Sequence, residues 1–169
     1  MVTKFYLYID CSSNDILARL RKNVSELHAE HFVKSKIYEL RKEKKWSLKQ
    51  LSALSGVPYN AIWRMERGYG TSVMNAYKVA AAFQLTVYEL WFIPPSGTIP
   101  VPNEADASSV TELRLKRGWR LRELAELSRI PPSTLFAIER GQIPKLENAV
   151  RIAAALGVSL YQIWKPQKP

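Results

Sequence analysis

An internal repeat constrains this chain more than any other feature, because a duplicated stretch must fold twice into the same unit. Glu39-Leu40-Arg41 returns as Glu112-Leu113-Arg114, Glu66-Arg67-Gly68 as Glu139-Arg140-Gly141, and Ala80-Ala81-Ala82 as Ala153-Ala154-Ala155. Trp46 matches Trp119, Pro58 matches Pro131 and Trp91 matches Trp164. Every pair is 73 positions apart, as 66 and 139 are, and about a third of the positions from Lys36 to Trp91 recur identically. No insertion is needed. Two copies in a chain of 169 residues describe a duplicated domain, not a solenoid, which takes at least three repeats to bury its core.

The repeat divides the chain into residues 1–32, an N-terminal extension; 33–92, a first domain; 93–108, a linker; and 109–169, a second domain. The linker carries four prolines between Pro94 and Pro102 and no basic residue, so it is semi-extended. In the extension, Phe5 to Ile9 reads as a short strand. Ser12, Ser13, Asn14 and Asp15 then offer helix caps, and Ile16, Leu20, Val24 and Leu27 fall on one helical face. That stripe needs a partner: a second chain, giving a homodimer, or the first repeat of its own chain.

Each copy reads as five helices. In the first, a helix from Ile37 ends near Lys45, and Ser47 caps the next, with Leu48, Leu51 and Leu54 along its inner side and Gly56 at its end. Pro58 opens a third helix with Ile62 and Met65 inward, stopped at Gly68. Val73, Ala76, Tyr77, Ala80 and Phe83 line a fourth, and Val87 to Trp91 forms a fifth. The second copy follows with Leu121, Leu124 and Leu127, then Leu135 and Ile138, then Ile152, Ala153 and Leu156. Arg129 replaces the turn glycine, which predicts a less regular turn there. The fold class is all-α, two tandem five-helix domains behind a strand and helix extension.

The strings from Trp46 to Gly68 and from Trp119 to Gly141, followed by an alanine-rich helix and Leu156-Gly157-Val158-Ser159-Leu160, resemble the phage-repressor-like helix-turn-helix family, the Xre or Cro/repressor type. The likeness covers about two thirds of the chain. It implies lambda-repressor-like domains, a double-stranded DNA partner, and a sequence-specific transcriptional regulator of the repressor kind. The third helix of each domain is expected in the major groove and the second across the phosphate backbone. With Ile62 and Met65 inward, Tyr59, Asn60, Trp63 and Arg64 point outward, and Asn and Arg pair bidentately with adenine and guanine edges. The alternative for Tyr59 and Trp63 is packing on neighbouring helices or on a partner chain.

The second copy places Pro132, Ser133, Phe136 and Ala137 at those outward positions, a poorer set for reading bases. Ser133 and Thr134 are its remaining polar candidates, and phosphate contacts are expected from Arg120, Arg122, Arg140 and Lys145. Ser47, Lys49 and Arg67 fill that role in the first copy. The apolar Phe136 and Ala137 keep an alternative open, a docking module of the antitoxin or anti-repressor kind, or dimerisation through the second repeat.

Charge agrees with two DNA-facing units. Of the net +10, residues 33–92 and 109–169 contribute +6 each, the extension is neutral and the linker is −2. The linker's fifteen residues from 94 to 108 reach about 45 Å at ~3.1 Å each, beyond the ~34 Å between successive major grooves on one face. The order of the two domains on DNA, head-to-tail or about a dyad, stays open at this point.

Other chemistries find little support. Cys11 is alone, so it pairs with no second cysteine, and His28 with His31 lacks a third ligand, so no metal site is expected. There is no glycine-rich phosphate loop, no nucleophile elbow and no carboxylate pair at a catalytic spacing, so neither an enzyme nor a cofactor is expected. Glu66 and Glu139, beside the helix-ending glycines, read as structural. Five apolar residues from Phe5 fall short of a signal peptide, and no run approaches the ~20 that span a bilayer. A cytoplasmic protein, on the nucleoid when DNA-bound, is the expectation.

Overall fold

The computed structural model of the protein describes residues 13–25, 34–91, 93 and 109–165, with the side chains of 13–16 and 23 outside it. The strand read at Phe5 to Ile9, the histidines 28 and 31, and the linker from 94 to 108 lie outside the described residues. An N-terminal helix α1 (Ser13–Ser25) precedes five helices of the first repeat: α2 (Ile37–Glu43), α3 (Leu48–Ser55), α4 (Tyr59–Glu66), α5 (Val73–Ala82) and α6 (Val87–Leu90). The second repeat supplies α7 (Val110–Lys116), α8 (Leu121–Ser128), α9 (Pro132–Glu139), α10 (Leu146–Leu156) and α11 (Leu160–Ile163). Among the described residues the fold is all-α, as the sequence predicts for the two repeats.

Local chemistry sets the helix boundaries. The Ser47 hydroxyl accepts from the Gln50 N–H at 3.1 Å while the Gln50 side chain accepts from the Ser47 N–H at 2.7 Å, a complete capping box. In the second repeat the same position is Arg120, which has no acceptor, so only the reciprocal half survives: the Glu123 carboxylate takes the Arg120 N–H at 2.5 Å. Gly56 ends α3 in the left-handed region at φ 64, and Arg129 ends α8 there too, at φ 55. The turn expected to be irregular at Arg129 therefore keeps its geometry, with a side chain carrying the unfavourable φ.

Both repeats contribute to one continuous core. Leu51, Ile62, Met65, Val73, Ala76, Ala80 and Phe83 are buried in the first, and Leu124, Leu135, Ile138, Ile152, Ala153 and Leu156 in the second. Leu54 departs from its reading as an inner residue, since it is 59% exposed. Its counterpart Leu127 is half-buried because α1 lies beside it.

Among the described residues the N-terminal helix packs mainly on α10 and α8 of the second repeat. Leu20 and Val24 are buried there. The expected stripe is thus covered within the chain over these residues, and Leu27 lies outside the described region. Gly157, at φ 62, makes the approach feasible: a Cβ at this position would stand 2.9 Å from Leu20 Cδ2. The first repeat carries an exposed Gln84 at the matching place.

The two repeats also pack on each other, and they do so reciprocally. The Val73 N–H donates to the Pro144 carbonyl at 3.1 Å, and the Leu146 N–H donates to the Thr71 carbonyl at 2.8 Å. These are the same bond seen from either copy, since 146 matches 73 and 144 matches 71. Between them Ser72 and Lys145, themselves equivalent, form an antiparallel bridge. At the other end of the contact the Tyr88 hydroxyl accepts from the Leu160 N–H at 2.8 Å, and the Tyr161 hydroxyl accepts from the Val87 N–H at 3.2 Å. Tyr77 completes the cluster, its ring 5.0 Å from that of Tyr161. Burial pushes the Tyr88 hydroxyl up to about 12 and raises Tyr77 and Tyr161 as well, so the phenols stay neutral through the physiological range.

Candidate nucleic-acid interface

The position of α4 follows from its two faces. Ile62 and Met65 are fully enclosed, which turns Tyr59, Asn60, Trp63 and Arg64 to solvent. All four are exposed, with Tyr59 at 43% and Trp63 at 38%. A buried ion pair fixes the helix from below. The Arg41 guanidinium of α2 donates to both carboxylate oxygens of Glu66 at 2.6 and 2.9 Å and to the Trp46 carbonyl at 3.0 Å. Both side chains are only 8% exposed, and the hydrogen bonds to Glu66 hold the Arg41 pKa above its ordinary value despite burial. One fork thus joins the end of α4 to α2 and to the turn that starts α3.

Arg114 and Glu139 repeat this at 2.7 and 2.9 Å, with Arg114 also reaching the Trp119 carbonyl at 2.8 Å. The glutamates therefore have the structural role expected of them. Their arginine partners escaped the sequence reading, although a signal existed: Arg41 and Glu66 recur together, 25 residues apart in both copies.

Around the exposed face of α4 the cations are held by aromatic rings. The Arg67 guanidinium lies 4.2 Å from the Trp63 ring centre, and that of Arg64 lies 5.4 Å from Tyr69. Trp63 thereby serves as a platform for Arg67, beside Leu48 at the start of α3. Ser47 and Lys49 are exposed at that same helix start. Because the Ser47 oxygen accepts the cap bond, its O–H remains available as a donor. A concavity of about 560 Å³ lined by Lys34, Ser35, Lys36, Glu39, Glu66, Arg67 and Gly68 flanks the end of α4.

On the second repeat the outward face of α9 holds exposed Pro132, Ser133 and Phe136, with Thr134 and Ala137 half-buried. The Arg140 guanidinium lies 5.5 Å from the Phe136 ring, a counterpart of Arg67 on Trp63. Arg120, Arg122 and Arg140 are exposed along this side. Lys145 lies in the loop between α9 and α10, as its reading has it. It bridges Ser72 at the junction of the two copies, with its side chain exposed.

No helix among the described residues is long and apolar enough to cross a membrane. Comparison with curated proteins and with solved structures returns no match. A family model does match, twice: the helix-turn-helix domain aligns with residues 37–90 and again with 110–163, together more than half of the chain. The chain belongs to the Xre/Cro-type helix-turn-helix family of DNA-binding regulators and carries two tandem copies of its domain.

Proposed function

We propose that the first repeat reads base edges with α4 while the second repeat grips the backbone and contributes little sequence information. The observation that carries this is the difference between two otherwise matched helices. Asn60 and Arg64 stand exposed on α4, where the same positions of α9 are Ser133 and Ala137. Asn and Arg supply the bidentate pairings that discriminate adenine and guanine in the major groove, and neither Ser nor Ala replaces them. Ser47, Lys49 and Arg67 on one side, and Arg120, Arg122 and Arg140 on the other, are exposed polar or cationic groups suited to phosphate oxygens. Tyr59 and Trp63 border the reading face, and Trp63 carries the Arg67 guanidinium. The expected sign of regulation, repression, is carried over from the family resemblance alone.

The test is a selection of bound fragments from random duplexes, followed by affinity measurements on the winner and on a scrambled duplex. Asn60→Ala and Arg64→Ala should each remove about 1–3 kcal/mol of discrimination and leave salt-sensitive binding to the scrambled duplex in place. Unchanged preference in both variants removes α4 from the role of reader.

A further inference from the structure

The reciprocal bonds between the repeats carry a consequence for the DNA. In a head-to-tail tandem, residue i of one copy meets j of the other, but j of the first does not meet i of the second. Here each bond has its mirror: Val73 to Pro144 and Leu146 to Thr71, then Val87 to Tyr161 and Leu160 to Tyr88. The contact is isologous, and its two-fold axis runs through the Ser72 and Lys145 bridge. The fourth helices α5 and α10 start beside that axis, directly after the loops that leave α4 and α9. Both third helices are thereby related by the same rotation.

We infer that one chain occupies an inverted DNA site with half-sites one helical turn apart, of which only one half is defined in sequence. The site is polar: a specified half under α4, an unspecified half under α9, and Lys145 over the centre. This rests on the proposed placement of α4 and α9 against DNA; the two-fold relation between them stands on the interface alone. The spacing follows from size. A unit of the length matched by residues 37–90 has a radius of gyration of about 10 Å and a width of about 26 Å. Two such bodies in direct contact can meet major grooves ~34 Å apart and cannot span two turns. Docking, not the reach of the linker, sets the distance, and the second copy needed for a two-fold grip is supplied in the same chain.

The experiment uses the full chain and two readouts. Hydroxyl-radical footprinting on a selected duplex, with the mass of the complex measured in parallel, should give two protected patches about 10 base pairs apart on one face from a single bound chain. One patch, or two chains per duplex, overturns the geometry. The spacing of the patches and the number of chains per duplex do not depend on which helix reads the bases, so this readout stands apart from the test of α4. The second readout moves the reader residues across the axis with Ser133→Asn and Ala137→Arg, and with Ser133→Asn alone should the half-buried Ala137 not tolerate arginine. Selection should then recover the wild-type half-site plus an inverted copy one turn away, bound at least about tenfold tighter than the single half-site. A direct copy overturns the proposal, as does a variant that is folded yet gains no second half-site while the footprint shows one patch. Two patches from one chain, with a sequence preference that Asn60→Ala and Arg64→Ala leave unchanged, sink the reader and leave the dyad intact.

Discussion

The two repeats are alike where they are buried and unlike where they are exposed. Both carry the Arg–Glu fork beneath the third helix, the same left-handed turn, and one tyrosine each that reaches across the axis. Outside, Asn60 and Arg64 become Ser133 and Ala137, and the bare flank bearing Leu54 and Gln84 becomes a flank covered by α1. Duplication thus kept the interactions that hold each domain and its partner together, and released the surface positions to separate uses.

The first way to break this equivalence is at the forks. Removing one member of a buried, hydrogen-bonded ion pair leaves a desolvated charge, which costs about 3–5 kcal/mol. Glu66→Ala and Glu139→Ala should each lower the denaturant-unfolding free energy by about that amount, since the side chains are similarly enclosed, at 8% and 9% exposure. A loss under 1 kcal/mol from one of them would mean that its domain does not depend on the fork, and that the internal symmetry is cosmetic there.

A smaller effect sharpens the comparison of the surfaces. If both repeats grip phosphates, Lys49→Ala in the first and Arg122→Ala in the second should each remove about one unit of salt slope. Between 50 and 200 mM salt, each variant should then lose ~3.5-fold less affinity than the wild type does. A response confined to Lys49→Ala would show the second repeat off the DNA and favour protein docking through exposed Phe136 and Ile143.

Much of this was legible in the sequence because the repeat supplied two readings of each element. Helix positions, the inner residues of α4 and α9, and the different residue types on their outward faces all follow from spacing and residue type. The misread elements concern contacts between segments far apart in sequence. Leu54 has the periodicity of a core residue, but whether the flank is covered depends on where α1 docks, and periodicity carries no such information. The choice of the second repeat by α1 had a local trace in Gly157, whose counterpart is Gln84, yet a glycine at a helix end is read first as a cap. Tyr88 and Tyr161 recur at the repeat offset, but their bonds across the axis depend on how the two copies dock, which spacing within one copy does not carry.

The mildest test concerns the turn before the third helix, where one repeat has glycine and the other arginine at nearly the same backbone angles, φ 64 and φ 55. A side chain in the left-handed region costs about 1–2 kcal/mol, and glycine returns about 0.5–1 of that through the extra freedom of the unfolded chain. Space is not an issue at the first site, since a Cβ on Gly56 meets nothing within 4 Å. Gly56→Ala should therefore destabilise through φ alone, by about 0.5–1 kcal/mol, and Arg129→Gly should stabilise by a similar amount. Arg129 also lines the groove between α8 and α1, with Leu17 and Glu126. If Arg129→Gly destabilises instead, as read by thermal melts of the full chain, that contact outweighs the strain. The arginine would then be a fixture for the N-terminal helix, a further part of the asymmetry that distinguishes the second repeat from the first.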